Sequence, residues 1–146
     1  MQTFLPYACF RCSAAALDPA RLGKQRVEAY QILRALSIPG YGWQRHPAVL
    51  MWKDHRDALV TYGVTVSRVW RLRGYRDTCL AKIAGHSTTG DVFTQAELEA
   101  YGLAPPWLGD EALHRSHRSA LVRKDPVRYA GLFPGVPDDL PYEWPA

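Results

Sequence analysis

The sequence predicts an all-α fold: a compact single domain over residues 1–146, with four or five helices, an extended N-terminal segment and a proline-rich C-terminal tail. Three observations carry this. Proline stands where helices should open, at Asp18-Pro19, Pro47 and Asp125-Pro126. Alternation of apolar and polar residues with a period of two is almost absent. The Gly- and Pro-bearing connections are short, as between packed helices.

Taken in order, residues 2–7 are the one stretch able to pair briefly as an edge strand, and Pro6 limits it. Asp18 then reads as an N-cap with proline at the first helical position. That helix should run from about Pro19 to Leu36, where Pro39-Gly40 ends it. After the loop GYGWQRHP, Pro47 opens a second helical stretch that reaches about Leu72, broken near Lys53 or Gly63. A weaker third segment spans about Tyr75 to Ala84, and GHSTTGD is a loop. Thr94 and Glu97 have capping-box spacing and start a short helix to about Tyr101. Asp110 caps a helix to about Arg123, and Asp125-Pro126 caps a last short turn. From Pro134 onward the chain is an extended tail with four prolines.

Composition narrows the function classes. With 47% hydrophobic and 22% charged residues the chain is neither disordered nor fibrous. The net charge of +4 permits a polyanionic partner. Two basic runs stand out: Arg68, Arg71, Arg73, Arg76 and Lys82 against Asp77 alone, and Arg115, Arg118, Arg123 and Lys124 with no acid between Leu113 and Lys124. Three cysteines, no signal-peptide pattern and no run of about 18 apolar residues predict a cytoplasmic protein with free thiols, off the membrane. There is no phosphate-binding glycine loop, no GxGxxG and no HExxH. Cys9 and Cys12 with His114 and His117 make a zinc set on paper, but CFRC lacks a knuckle glycine. No metal and no cofactor are expected.

The first long helix carries the sharpest pattern. At 100° per residue, Arg21, Lys24, Gln25, Glu28 and Gln31 fall within about 60° of one line. Leu22, Ala29, Tyr30, Leu33 and Leu36 fall on the other side. A single carboxylate thus stands among cations and amides. Flanking cations favour its charged form, and it can orient a nucleophile, move a proton or stabilise a cationic sugar while its neighbours hold phosphates. The plainer reading is a solvated face decorated by an i,i+4 pair, Lys24 with Glu28. His46, in a loop with Trp43, Gln44 and Arg45, is either bonded to backbone or set at the mouth of a site, where Trp43 and His46 meet a displaced base. The late helix is a solvated face or a phosphate clamp using Arg115, His117 and Arg118.

The stretches LDPARLGKQRVEAYQILRAL, GYGWQRHPAVLMW and HRSHRSALVRKDPVRYAGLF together resemble the pyrimidine-dimer DNA glycosylase family of endonuclease V type. Its features read here as Glu28 on an early helix, Gly40-Tyr41 with His46-Pro47, and Lys124-Asp125-Pro126 with Tyr129. The chain is also similar to actinobacterial-type members that begin MQTFLPY and end in a DLPY-x-WP tail. The resemblance implies an all-α bifunctional enzyme. The N-terminal amine attacks C1′ of the damaged nucleotide, the base leaves, an imine links enzyme to sugar, and β-elimination nicks the strand with help from the glutamate. The chemistry is sound, because α-amino groups titrate at roughly pH 7.7–8.0 and are partly neutral in cells.

The phage pattern places a threonine at position 2, where this chain has Gln2, a long side chain that disfavours removal of Met1. It places arginines just before and three residues after its glutamate, where this chain has Val27 and Gln31. The expected catalytic residues are Glu28 and Met1, with Lys24 as a rival amine. The expected DNA contacts are Arg21, Gln25, Gln31, Trp43, Arg45, His46, Arg115, His117 and Arg118. The expected partner is duplex DNA carrying a damaged or modified base, bound by a cytoplasmic, nucleoid-associated monomer. A non-catalytic nucleic-acid-binding module and a base or nucleoside hydrolase on the same scaffold are the alternatives.

Overall fold

Two long helices, α2 (Pro19–Ser37) and α4 (Arg56–Leu72), cross at the centre of the molecule. Around them stand α1 (Phe10–Ala16), α3 (Pro47–Leu50), α5 (Leu80–Ala84), α6 (Gln95–Ala100), α7 (Glu111–Lys124) and α8 (Pro126–Leu132). The computed structural model describes residues 1–145, and these contain eight helices and no strand. The fold is all-α as the sequence predicts, with more helices than the four or five expected.

The extra helices have local causes. The stretch from Pro47 breaks at residues 51–54, where Asp54 takes a φ of 67°, so α3 is separate from α4. The break falls beside Lys53. Gly63 instead stays inside α4, because a Cβ there would lie 2.9 Å from Ile83 and 3.1 Å from Ala29. That glycine lets α2, α4 and α5 approach closely. Helix α1 carries neither Asp nor Pro at its start. Its cap is Cys9, whose Sγ accepts from the Cys12 N–H at 3.1 Å. Only the end of the 75–84 segment is helical, and α8 is a seven-residue helix where a turn was expected. The capping box at Thr94 and Glu97 forms as its spacing predicts.

One cluster of buried side chains runs through the molecule. Trp52, fully buried, is packed by Phe10, Tyr62 and Trp107, with ring centroids 4.9 Å from Trp107 and 5.9 Å from Tyr62. Burying such rings contributes most of the folding drive. The Asp-Pro-x-x-Tyr signature is a brace: Tyr129 donates its O–H to the Asp18 carboxylate and accepts the Asp18 N–H at 2.8 Å. It thereby fixes the start of α2.

The N-terminal segment does not pair as an edge strand. Residues 2–6 are buried, and side chains satisfy the peptide groups of Phe4, Leu5 and Pro6. Phe4 N–H donates to Gln25 Oε1 at 2.9 Å, and Leu5 N–H donates to His117 Nδ1 at 2.9 Å. His114 Nδ1–H donates to the Leu5 carbonyl at 2.8 Å, and Arg118 donates to the Pro6 carbonyl at 2.8 Å. The Tyr62 hydroxyl lies 2.8 Å from the Phe4 carbonyl and 2.9 Å from Gln25 Oε1, sharing one proton between two acceptors. His114 and His117, one helical turn apart, thus treat the Leu5 residue as a neighbouring strand would.

The proline-rich tail is extended, and it lies across α7. Leu140 N–H donates to Ser119 Oγ and Glu143 N–H to Ser116 Oγ, each at 3.0 Å. Arg123 donates to the Asp138 carbonyl at 2.8 Å.

Candidate active site

The polar stripe of α2 is no solvated face. Its centre, Gln25 and Glu28, is buried beneath the N-terminal segment, while Lys24 and Gln31 stay exposed and Arg21 is half-buried. Periodicity set these side chains on one line. The incoming segment turned that line into a wall.

Met1, Gln2, Lys24, Glu28, Lys124 and Tyr142 line a cavity of about 220 Å³. The Glu28 side chain is 8% exposed, and Lys24 Nζ lies 3.8 Å from its Oε1. Glu28 Oε2 is buried without a hydrogen-bond partner among the described residues. A buried carboxylate oxygen left free is costly, so this one is available to an incoming donor. Lys24 extends into solvent with 73% of its side chain exposed. It serves Glu28 as a weak, hydrated counter-ion rather than as a desolvated amine. An adjoining cavity of about 290 Å³ shares Phe4, Lys24, Gln25 and Lys124 with the first and adds Arg21. Three cations therefore surround the approach to one carboxylate.

His46 stands near this cavity without lining it. Its Nδ1 accepts the Ala48 N–H at 3.0 Å and caps α3. Burial holds its imidazole below the ordinary value, the amino terminus adds to that, and the Glu28 charge opposes it. His46 thus lies within electrostatic reach of both groups and stays neutral at physiological pH. Trp43, exposed and at a φ of 71°, makes a T-shaped contact with His46, and Trp144 of the tail makes another with the same ring at 6.3 Å. Burial, with the Glu28 charge, also pushes the Tyr62 hydroxyl up, keeping it a proton donor to the N-terminal segment.

Three of the expected DNA contacts are engaged inside the fold. Gln25 is buried and spent on Phe4 and Tyr62. His117 is fully buried, and burial with the nearby His114 pushes it down to about 3, so it is a neutral acceptor for Leu5. Arg118 is 13% exposed and divided between Pro6 and Glu111. Arg115 is exposed, but it borders a shallow recess with Leu140 and Glu143, apart from Glu28. Arg45 and Gln31 are exposed.

Sequence reasoning passed over two walls of the cavity. Lys124 follows His117 by seven residues and so shares its stripe of α7, a signal that was present. Tyr142 belongs to the tail, whose paired aromatics in DLPYEWP were the only hint. Among the described residues no group of three His, Cys, Asp or Glu could hold a metal ion. Cys9 caps α1, and the two histidines of the paper zinc set bond Leu5.

The arrangement is a small helical scaffold that carries a cation-flanked carboxylate beside its own amino terminus. The family model described as pyrimidine dimer DNA glycosylase matches residues 1–83, and the chain belongs to that family. The matched part holds Met1, Lys24, Glu28 and His46, whereas Lys124, Tyr142 and Trp144 lie beyond it. Comparison with curated proteins and with solved structures gave no match. No helix among the described residues is long and apolar enough to cross a membrane.

Proposed function

We propose that the protein is a DNA glycosylase with AP-lyase activity, releasing a damaged or modified base from duplex DNA. The pyrimidine dimer of the family description is the first substrate to test. The observation that carries this reading is the buried N-terminal segment, whose side-chain-bonded peptides lead Met1 into the cavity of Glu28.

In this reading the neutral Met1 amine attacks C1′ as the base departs with its bonding electrons and takes up a proton. Loss of an amine proton and opening of the sugar ring give the imine. Removal of a 2′ proton then expels the 3′ phosphate and nicks the strand. Glu28 stabilises the cationic sugar and shuttles protons through its free oxygen. Arg21, Lys24 and Lys124 hold phosphates at the entrance, and Trp43 offers a stacking face to a displaced base. Lys24, exposed as it is, acts as counter-ion and not as nucleophile.

Borohydride should trap a covalent complex with damaged or abasic duplex DNA, and the peptide bearing the adduct should contain Met1. Trapping should vanish when the N-terminus is acetylated and persist in Lys24→Gln. An adduct on Lys24 would refute the assignment. Release of free base with no adduct and no strand nick would point to a hydrolase.

A further inference from the structure

A second cationic cluster lies farther along α2. Arg34 stacks its guanidinium over Tyr30 at 5.7 Å and over Tyr41 at 5.2 Å, while Lys82 of α5 lies over Tyr30 at 5.8 Å. The His86 ring meets the same Tyr30 edge-on at 5.8 Å. Arg56, at the start of α4, places Nη2 3.4 Å from His86 Nδ1, and its Nε is buried with no partner among the described residues. Among the described residues, none of Arg34, Arg56 and Lys82 forms an ion pair with a carboxylate.

Cation–π contacts fix the side chains in place but neutralise none of their charge. The C-terminal ends of α2 and α5 supply at most about half a negative charge each. Three like charges are thus held together without a counter-charge, an arrangement that suits an anion.

The position selects which anion. Lys24, Gln31 and Arg34 follow one another at seven and three residues, so they lie within about 80° of one another around α2, Lys24 and Gln31 exposed and Arg34 half-buried. From Glu28 to Arg34 the helix rises about 9 Å, and a duplex carries one phosphate per strand for each 3.4 Å of its axis. This side of α2 therefore leads from the entrance of the cavity to a point roughly three base pairs away.

We propose that Arg34, Lys82 and Arg56 form a second phosphate-binding site, which grips the DNA backbone roughly three base pairs from the reacting nucleotide. This rests on the DNA reading above and names residues that reading does not use. Tyr30 is the platform that holds two of the cations, and His86, kept neutral by burial and by its cationic neighbours, accepts from the third.

The test is the salt dependence of binding to a duplex with a central tetrahydrofuran abasic analogue, which the enzyme cannot process through an imine. Arg34→Gln with Lys82→Gln should make the slope of log K against log salt shallower by about 1.8, and Lys82→Gln alone by about 0.9. Lys82 is exposed, so the single variant keeps the test open if the double variant folds poorly. On a duplex cut short on the side that reaches the cluster, the variants and the parent should share one slope. Unchanged slopes in both folded variants on the long duplex would overturn the proposal. So would an equal change on the shortened duplex. Saturable binding of inorganic phosphate, abolished by Lys82→Gln while the DNA slope stays put, would assign the cluster to a free anion and also overturn it. Because binding is read without turnover, a parent that bound normally but released no base would refute the glycosylase reading alone.

Discussion

Acid should weaken this protein well above the pH at which its carboxylates protonate, through His117. In the fold its Nδ1 accepts the Leu5 N–H, so a proton there would set donor against donor inside a buried site. Burial, with His114 alongside, pushes the imidazole from 6.5 down to about 3. The unfolded chain binds that proton near pH 6.5 and the native chain does not. The linked stability is therefore complete above pH 6.5, shrinks by about 1.4 kcal/mol per pH unit below it, and is gone near pH 3. The whole effect amounts to about 5 kcal/mol, comparable to the total stability of many domains of this size.

Asp18 and Asp77 act lower. Burial opposes their ionisation, but Tyr129 and Arg21 in the first case and Arg26 with the Leu80 and Cys79 N–H groups in the second hold them below 3.8. Their contribution is present above that value and lost only as pH falls beneath it. Urea unfolding followed by tryptophan fluorescence from pH 7.5 to 4.5 isolates the histidine effect. The variant His117→Asn keeps an acceptor for Leu5 and removes the titration, so it should be less stable at pH 7.5 yet much flatter with pH. A remaining shallow slope belongs to His46 and His86, which burial also holds low. A parent protein equally stable at pH 6.5 and 4.5, or an Asn variant as steep as the parent, would refute this reasoning.

Four further outcomes are expected. Glu28→Gln should abolish base release while changing stability by less than about 2 kcal/mol, since its one cationic partner is 3.8 Å away and solvated; undiminished turnover in single-turnover assays would remove Glu28 from the mechanism. Arg118→Ala should cost about 1–3 kcal/mol by stranding the Pro6 carbonyl, and leave the salt slope of DNA binding unchanged. Lys124→Ala should do the reverse, keeping the melting temperature and lowering the slope by about 0.9. Gly63→Ala should destabilise by about 1–3 kcal/mol, because the new methyl must displace Ile83 or Ala29; a variant as stable as the parent in urea would show that the helix crossing can yield.

Features whose partners lie within one helical turn were legible in the chain. Asp18, Thr94 and Asp110 cap the helices their spacing predicts, and Glu28 stands with Lys24 on the stripe that 100° stepping draws. Helix α1 escaped because its cap is a cysteine, and the seven-residue α8 was legible only as a turn.

What a polar side chain on a helix does could not be read that way. Gln25 meets Phe4 across 21 residues, His117 meets Leu5 across 112, and Tyr129 meets Asp18 across 111. On α7 the pattern of His and Arg is the same whether the face meets a phosphate or a buried peptide. The choice falls when the N-terminal segment docks, because its N–H and C=O groups lose water and must find partners at once. Local periodicity thus determined the helices and the line on which Glu28 stands. Chain closure decided which members of that line stay in water, that Lys124 and Tyr142 wall the cavity, and that Met1 enters it, because satisfying a desolvated backbone depends on groups far apart in sequence.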